Sequence, residues 1–213
     1  MTVPTVADGK MRLNNEQYGE VTRRLDEIKR RTDEGALPFE SVMDALQRII
    51  EGALRVFSVW KSVLVGGKKP SELGTMLETA GYQIGAIAKT MLGHKKFKVS
   101  KPVTLDFVRV TVKDLGFSDP NNLPMTTEVW ERAKSLGLDP CPSDAAAHLR
   151  MAYPAQPMGE CLLVAMEQIP GADGDPRVFA LVHGSGGRWL SGDWANPTRR
   201  WRLDHELVFA SRK

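Results

Sequence analysis

Along the first fifty residues, apolar positions recur at helical spacing. Tyr18, Val21, Leu25, Ile28 and Thr32 fall at alternating steps of three and four, which predicts an amphipathic helix over 15–34. Asn14 or Asn15 can cap its start, and Gly35 suits the left-handed residue just past its end. Phe39, Val42, Met43, Leu46, Ile49 and Ile50 share one face of a second helix over 39–51, with Pro38 in its first turn and Gly52 at its stop. The short link 35–37 makes the pair an αα-hairpin spanning 14–52. Two helices of this size cannot close a core alone. Their stripes, through Val21, Leu25, Ile28, Val42, Leu46 and Ile49, are expected to dock on a second copy, a partner or the rest of the chain. Residues 1–13 are polar and mixed and read as a flexible tail.

The period then changes. Residues 56–65 alternate around Trp60 as a strand does, and Gly66 and Gly67 end it. Pro70, Ser71 and Glu72 open a helix with Leu73, Met76 and Leu77 inward; Gly81 breaks it, and a second short helix follows over 84–92. Strands are expected at 97–99 and 103–112. Thr126 or Thr127 caps a helix to 135, and Ser143 caps another to 152. The apolar run 161–169 reads as a buried strand, and 177–183, 188–191 and 207–211 follow with short links, which predicts an antiparallel meander. The fold class is α+β: an N-terminal helical hairpin, short helices, and a C-terminal mixed or antiparallel sheet. Residues 53–213 form the α+β domain, with a basic region at 61–101 and a strand-rich end at 160–213.

Composition supports a packed core: of 213 residues, 42% are hydrophobic and 26% charged, which argues against disorder. The sequence has no apolar run long enough for a transmembrane helix and no basic-then-apolar secretory signal. Two cysteines, Cys141 and Cys161, are too few for a disulfide scaffold and read as reduced thiols. Together these features point to the cytoplasm and to no membrane partner.

Charge is unevenly spread. The net +3 conceals a block, 53–102, that holds 9 basic and 2 acidic residues, while 1–52 holds 8 and 10. Within thirteen residues Lys89, Lys95, Lys96, Lys98 and Lys101 gather around His94 with no acid. Such a patch concentrates anions, and phosphates are the commonest cellular ones. A second basic element, Arg199, Arg200 and Arg202 around Trp201, has forks that suit phosphates and a ring that can stack on a base. The opposing reading is a Trp in the core with Arg stacked upon it.

Catalytic motifs are weak. Ser185 is preceded two residues earlier by His183, not by the Gly of a nucleophile elbow. Asp173 and Asp175 open no calcium loop, because the twelfth position is Gly184. His94, His148, His183 and His205 lack metal-ligand spacing with each other or with the cysteines, and no phosphate- or dinucleotide-binding glycine loop is present. No metal or cofactor is expected.

Two stretches, RRLDEIKRRTDEGALPFESVMDALQRIIEG within 16–52 and LGLDPCPSDAAAHLRMAYPAQPMGECLLVAMEQI over 136–169, resemble a group of uncharacterised bacterial proteins known from genome sequence. The resemblance implies a bacterial, cytoplasmic setting and a portable front hairpin. It implies no activity, so no functional residue is carried over.

The expectation is a non-enzymatic accessory or binding protein. Its hairpin mediates self-association or docking. Lys68, Lys69, Lys95, Lys96, Lys98 and Lys101, with Arg199, Arg200 and Arg202, contact an anionic partner, foremost nucleic acid. The alternative is a hydrolase or nuclease whose site assembles from dispersed residues, with His183, Asp193, His205 and Glu206 as first suspects. A third reading is a small-ligand or protein-recognition module using the Trp-rich end.

Overall fold

The computed structural model describes residues 6–7, 10–11, 14–50 and 57–212. The chain divides into two compact units, Met1–Val56 and Phe57–Lys213.

In the first unit, the tail expected over 1–13 carries a short antiparallel ladder, β1 (Val6–Ala7) with β2 (Lys10–Met11). The other residues of that stretch lie outside the described ones. Helix α1 (Asn15–Asp33) starts at Asn14, whose side chain accepts from the Gln17 N–H while Gln17 accepts from the Asn14 N–H, each at 2.9 Å. This reciprocal cap satisfies two of the donors a helix start leaves free. Helix α2 (Phe39–Ile50) follows after a five-residue link. The expected last residues of the second helix, 51–52, lie outside the described ones.

In the second unit, β3 (Lys61–Val65) is shorter than the strand expected over 56–65. Helix α3 (Pro70–Thr79), the two-residue β4 (Gln83–Ile84) and α4 (Ala86–Leu92) come next. The long strand β5 (Val103–Thr111), helix α5 (Thr126–Ser135), β6 (Leu138–Asp139) and α6 (Ala145–Ala152) follow. The chain ends with β7 (Cys161–Val164), β8 (Ile169–Pro170), β9 (Pro176–Gly184), β10 (Gly187–Trp194) and β11 (Glu206–Ser211).

Seven strands run in the order β3-β5-β11-β7-β9-β10-β4, with β6 beside β11 and β8 beside β9. The sheet is mixed and curled, which corrects the antiparallel meander. Of the seven strands in that order, β9 and β10 are the one consecutive antiparallel pair; β11 inserts between β5 and β7 and runs parallel to β7, and β4 runs parallel to β10. No strand forms at 97–99, where the Phe97 N–H closes a turn on the His94 carbonyl and its ring is buried edge-on against Phe179, centroids 6.1 Å apart. The run 161–169 is broken at Ala165, whose carbonyl accepts from Cys141 and whose N–H reaches Val208.

Cross-strand register assigns the faces, because directly opposed residues point the same way. Phe107, Leu162, Phe179, Leu181 and Leu190 share one face, under α3, α4 and α6. Contact is close there: a Cβ on Gly192 would stand 2.5 Å from Ile87 Cγ2 and 2.9 Å from Met91 Sδ. Val108, Val110, Leu163, Val178, Leu207 and Phe209 share the other face, under α5 and the fully buried Trp201. The Trp201 indole donates to Thr126 Oγ1 at 2.8 Å, and Trp130 lies 5.8 Å from both Trp201 and Phe209.

Candidate anion-binding surface

Two lysine-bearing loops are tied together at one end of the helical face. The loop after β3 turns at Gly66 and Gly67, both in the left-handed region at φ 93° and 73°. The Gly67 N–H donates to the Ser100 carbonyl at 2.9 Å. A Cβ at Gly66 would sit 2.5 Å from that oxygen and 2.6 Å from the Lys101 carbonyl, so both the dihedral and the space call for glycine.

Helix α6 clasps both loops. The Asp144 carboxylate, with no exposed surface, accepts the Ser100 N–H at 2.7 Å and the Ser100 hydroxyl at 3.0 Å. One helical turn on, His148 Nε2 accepts the Gly66 N–H at 3.2 Å, which requires a neutral ring with its proton on Nδ1. Burial holds the His148 pKa below the ordinary imidazole value; Asp144 opposes that shift and Lys68 adds to it.

The clasp joins the loop that carries Lys68 and Lys69 to the one that carries Lys98 and Lys101. Lys69 and Lys89 also line, with Ser71, Thr75, Glu78 and Gly93, an open groove of about 670 Å³ between α3 and α4. Lys95 and Lys96 follow Gly93 in the chain. All six of Lys68, Lys69, Lys95, Lys96, Lys98 and Lys101 are exposed. Among the described residues none of the six has an ion pair, whereas Lys89 pairs with Glu78 at 3.2 Å. Glu72 turns its carboxylate onto the Lys69 N–H at 2.6 Å and is the only other acid in 53–102. Asp144 is committed to Ser100. The surface therefore carries a local excess of positive charge with little internal compensation.

The arginines sit elsewhere. Arg199 pairs with Asp193 at 2.9 Å and covers the Trp201 ring at 4.4 Å; Arg202 pairs with Asp204 at 2.7 Å; Arg200 donates to the Leu123 carbonyl. They belong to the α5 face, across the sheet from α3 and α4. The structure does not bring them to the lysines. It also places Trp201 in the core, Trp189 half-buried, and Trp194 exposed beside Arg177, so these rings share no single groove.

The four residues suspected of catalysis are split by the sheet. His183 and Glu206 face the α6 side, while Asp193 and His205 lie on the α5 side, where His205 stands edge-on to Trp201 at 5.6 Å. Sequence reasoning missed what Glu206 does. Arg109, beside it on β5, holds both Glu206 oxygens at 2.7 Å and Glu160 at 2.6 Å, and the Tyr153 hydroxyl donates to Glu160 at 3.4 Å. A polar pocket of about 390 Å³ lies alongside, lined by Trp60, Arg109, Asp114 and Glu206. One guanidinium joining two carboxylates that lie 46 residues apart leaves no local sequence signal.

Neither thiol is activated. Cys141 is buried and donates to the Val208 carbonyl at 3.4 Å, and burial pushes its pKa far up. Cys161 is exposed, yet desolvation, followed by the nearby Asp193, raises its pKa to about 11. Among the described residues no group of three or more His, Cys, Asp or Glu side chains could hold a metal ion, and no helix is long and apolar enough to cross a membrane.

Compared with protein-family models, curated proteins and solved structures, the chain has no match.

Proposed function

We propose that the second unit is a non-enzymatic binding module for nucleic acid, which it grips by its phosphates through the lysine surface at the α3–α4 groove. The observation that carries this reading is six exposed lysines on two loops held together by Asp144 and His148, with no ion pair among them in the described residues. Unpaired lysines displace condensed counterions from a polyphosphate, which drives association independently of sequence. Ring stacking plays little part here: between 66 and 101 Phe97 is buried, Tyr82 is half-buried beneath the Arg150 guanidinium 5.0 Å away, and the half-buried His94 ring accepts the Lys96 N–H at 3.1 Å. Recognition is therefore of backbone, not of bases.

The test is fluorescence anisotropy with generic duplex DNA and RNA at low salt. Binding weakened at least tenfold by Lys95→Glu/Lys96→Glu is the expected result. Absence of binding, or equal binding by the double variant, would overturn the reading.

A further inference from the structure

Helices α1 and α2 leave a continuous apolar surface uncovered within the first unit. α1 has no buried residue at all. Tyr18, Val21 and Leu25 on α1 are 57%, 45% and 47% exposed, and Phe39, Met43, Ile49 and Ile50 on α2 are 62%, 47%, 52% and 77% exposed. Between the helices runs an apolar groove of about 260 Å³, lined by Ile28, Leu37, Val42, Ala45, Leu46 and Ile49. Helices this short gain their stability from packing an apolar stripe, not from intrinsic propensity.

We propose that a second copy of this chain covers that surface, the two α1–α2 pairs closing a two-fold four-helix bundle. Three observations select a copy over a foreign partner. The first is spacing: Tyr18, Val21, Leu25, Ile28 and Thr32 alternate at three and four, the seam that packs helix against helix at a shallow angle. The second is area. The seven exposed apolar side chains leave on the order of 800 Å² uncovered, which matches what one partner contributes to a standard stable interface. The third is charge. α1 holds five basic and five acidic residues, several already joined in its own pairs: Glu20 with Arg23 and Arg24, and Arg30 with Glu27 and Glu34. α1 alone is net neutral, and the 14–50 pair, with six basic and eight acidic residues, carries a small net charge that costs a copy little repulsion and offers little attraction to a partner of one sign. A two-fold axis makes one such patch serve both chains.

Sedimentation equilibrium of the full chain tests this. The expected mass is twice the 23.6 kDa of one chain at micromolar concentration, falling to one chain for Leu25→Glu/Met43→Glu. All five tryptophans lie in the second unit, so an unchanged tryptophan spectrum in that variant assigns the mass change to the first unit. Arg23→Gln, exposed, off the stripe and changing the charge by one, is expected to keep the two-chain mass. A single-chain mass for the wild type up to about 100 µM, a mass of three or more chains, or a two-chain mass retained by the double variant would each overturn the proposal.

Discussion

The carboxylate of Asp144 accepts two hydrogen bonds from Ser100, one from its N–H and one from its hydroxyl, across 44 residues of chain. That junction, together with His148 on Gly66, ties the loop that carries Lys68 and Lys69 to the one that carries Lys95, Lys96, Lys98 and Lys101. It also fixes the first test. Asp144→Ala leaves the Ser100 N–H without its acceptor and costs about 1.5–3 kcal/mol, the range for hydrogen bonds to a charged group. Urea unfolding followed by tryptophan fluorescence measures this. The same variant is expected to bind DNA more weakly although it removes a negative charge. Tighter binding would mean that the clasp does not order the lysines.

Acid should loosen the clasp through His148. Its pKa lies below the ordinary value of 6.5 when folded, with burial as the main cause. The unfolded chain then takes up a proton that the folded chain refuses, so stability is full above about pH 6.5 and falls as pH drops toward the folded pKa. His205 is shifted the same way, again chiefly by burial, and adds to the slope. His148→Gln is expected to lose some stability at pH 8 and to show a smaller further loss between pH 7 and pH 5 than the wild type. An identical pH slope in the variant would exclude His148 as a contributor.

Arg150 is fully buried on α6 and donates to Gln156 Oε1 and to the Tyr153 carbonyl, while Gln156 passes its amide to the Leu181 carbonyl at 2.9 Å. Removing the Gln156 acceptor leaves a buried cation one hydrogen bond short, which is worse than removing the cation itself. Gln156→Ala is therefore expected to cost about 3 kcal/mol, and Arg150→Met less. Chemical denaturation of the two variants checks the order, and a reversed order contradicts this account of the network.

The two thiols should be told apart by reagent. Cys161 is accessible, but with a pKa of about 11 it carries little thiolate at neutral pH, and Cys141 is buried. A disulfide reagent is expected to modify one thiol slowly at pH 7.5, faster as pH rises, and both only after unfolding. Fast modification of two thiols in the folded chain would contradict the packing of Cys141 against Val208.

Local signals were readable where the chain satisfies itself locally. The cap at Asn14, the helices α1 and α2, and the start of α3 at Pro70 follow from spacing and end residues, because those hydrogen bonds close within four positions; α5 is capped at Met125 rather than at Thr126 or Thr127, and the Thr126 hydroxyl instead meets Trp201 from far along the chain. Sheet order was not readable. β11 carries the same continuous apolar run, residues 207–210, whether it continues a meander or inserts between β5 and β7, and packing of Phe209 under Trp130 and of Val208 on the opposite face goes with the latter. The lysine run 95–101 was visible as charge. Its union with Lys68 and Lys69 depends on Ser100 meeting Gly67 and Asp144, contacts that no local window contains. Likewise Arg199, Arg200 and Arg202 look like phosphate forks until their partners Asp193, Leu123 and Asp204 are in view.

The most direct test of the central claim is the salt dependence of binding to generic duplex DNA. With about five phosphates neutralised, log K should fall against log salt with a slope of roughly −4.5. Lys95→Glu/Lys96→Glu should flatten that slope by about two, and Arg200→Glu, on the far face of the sheet, should leave it unchanged. A slope near zero, or a slope that responds to Arg200 and not to Lys95 and Lys96, would contradict the account.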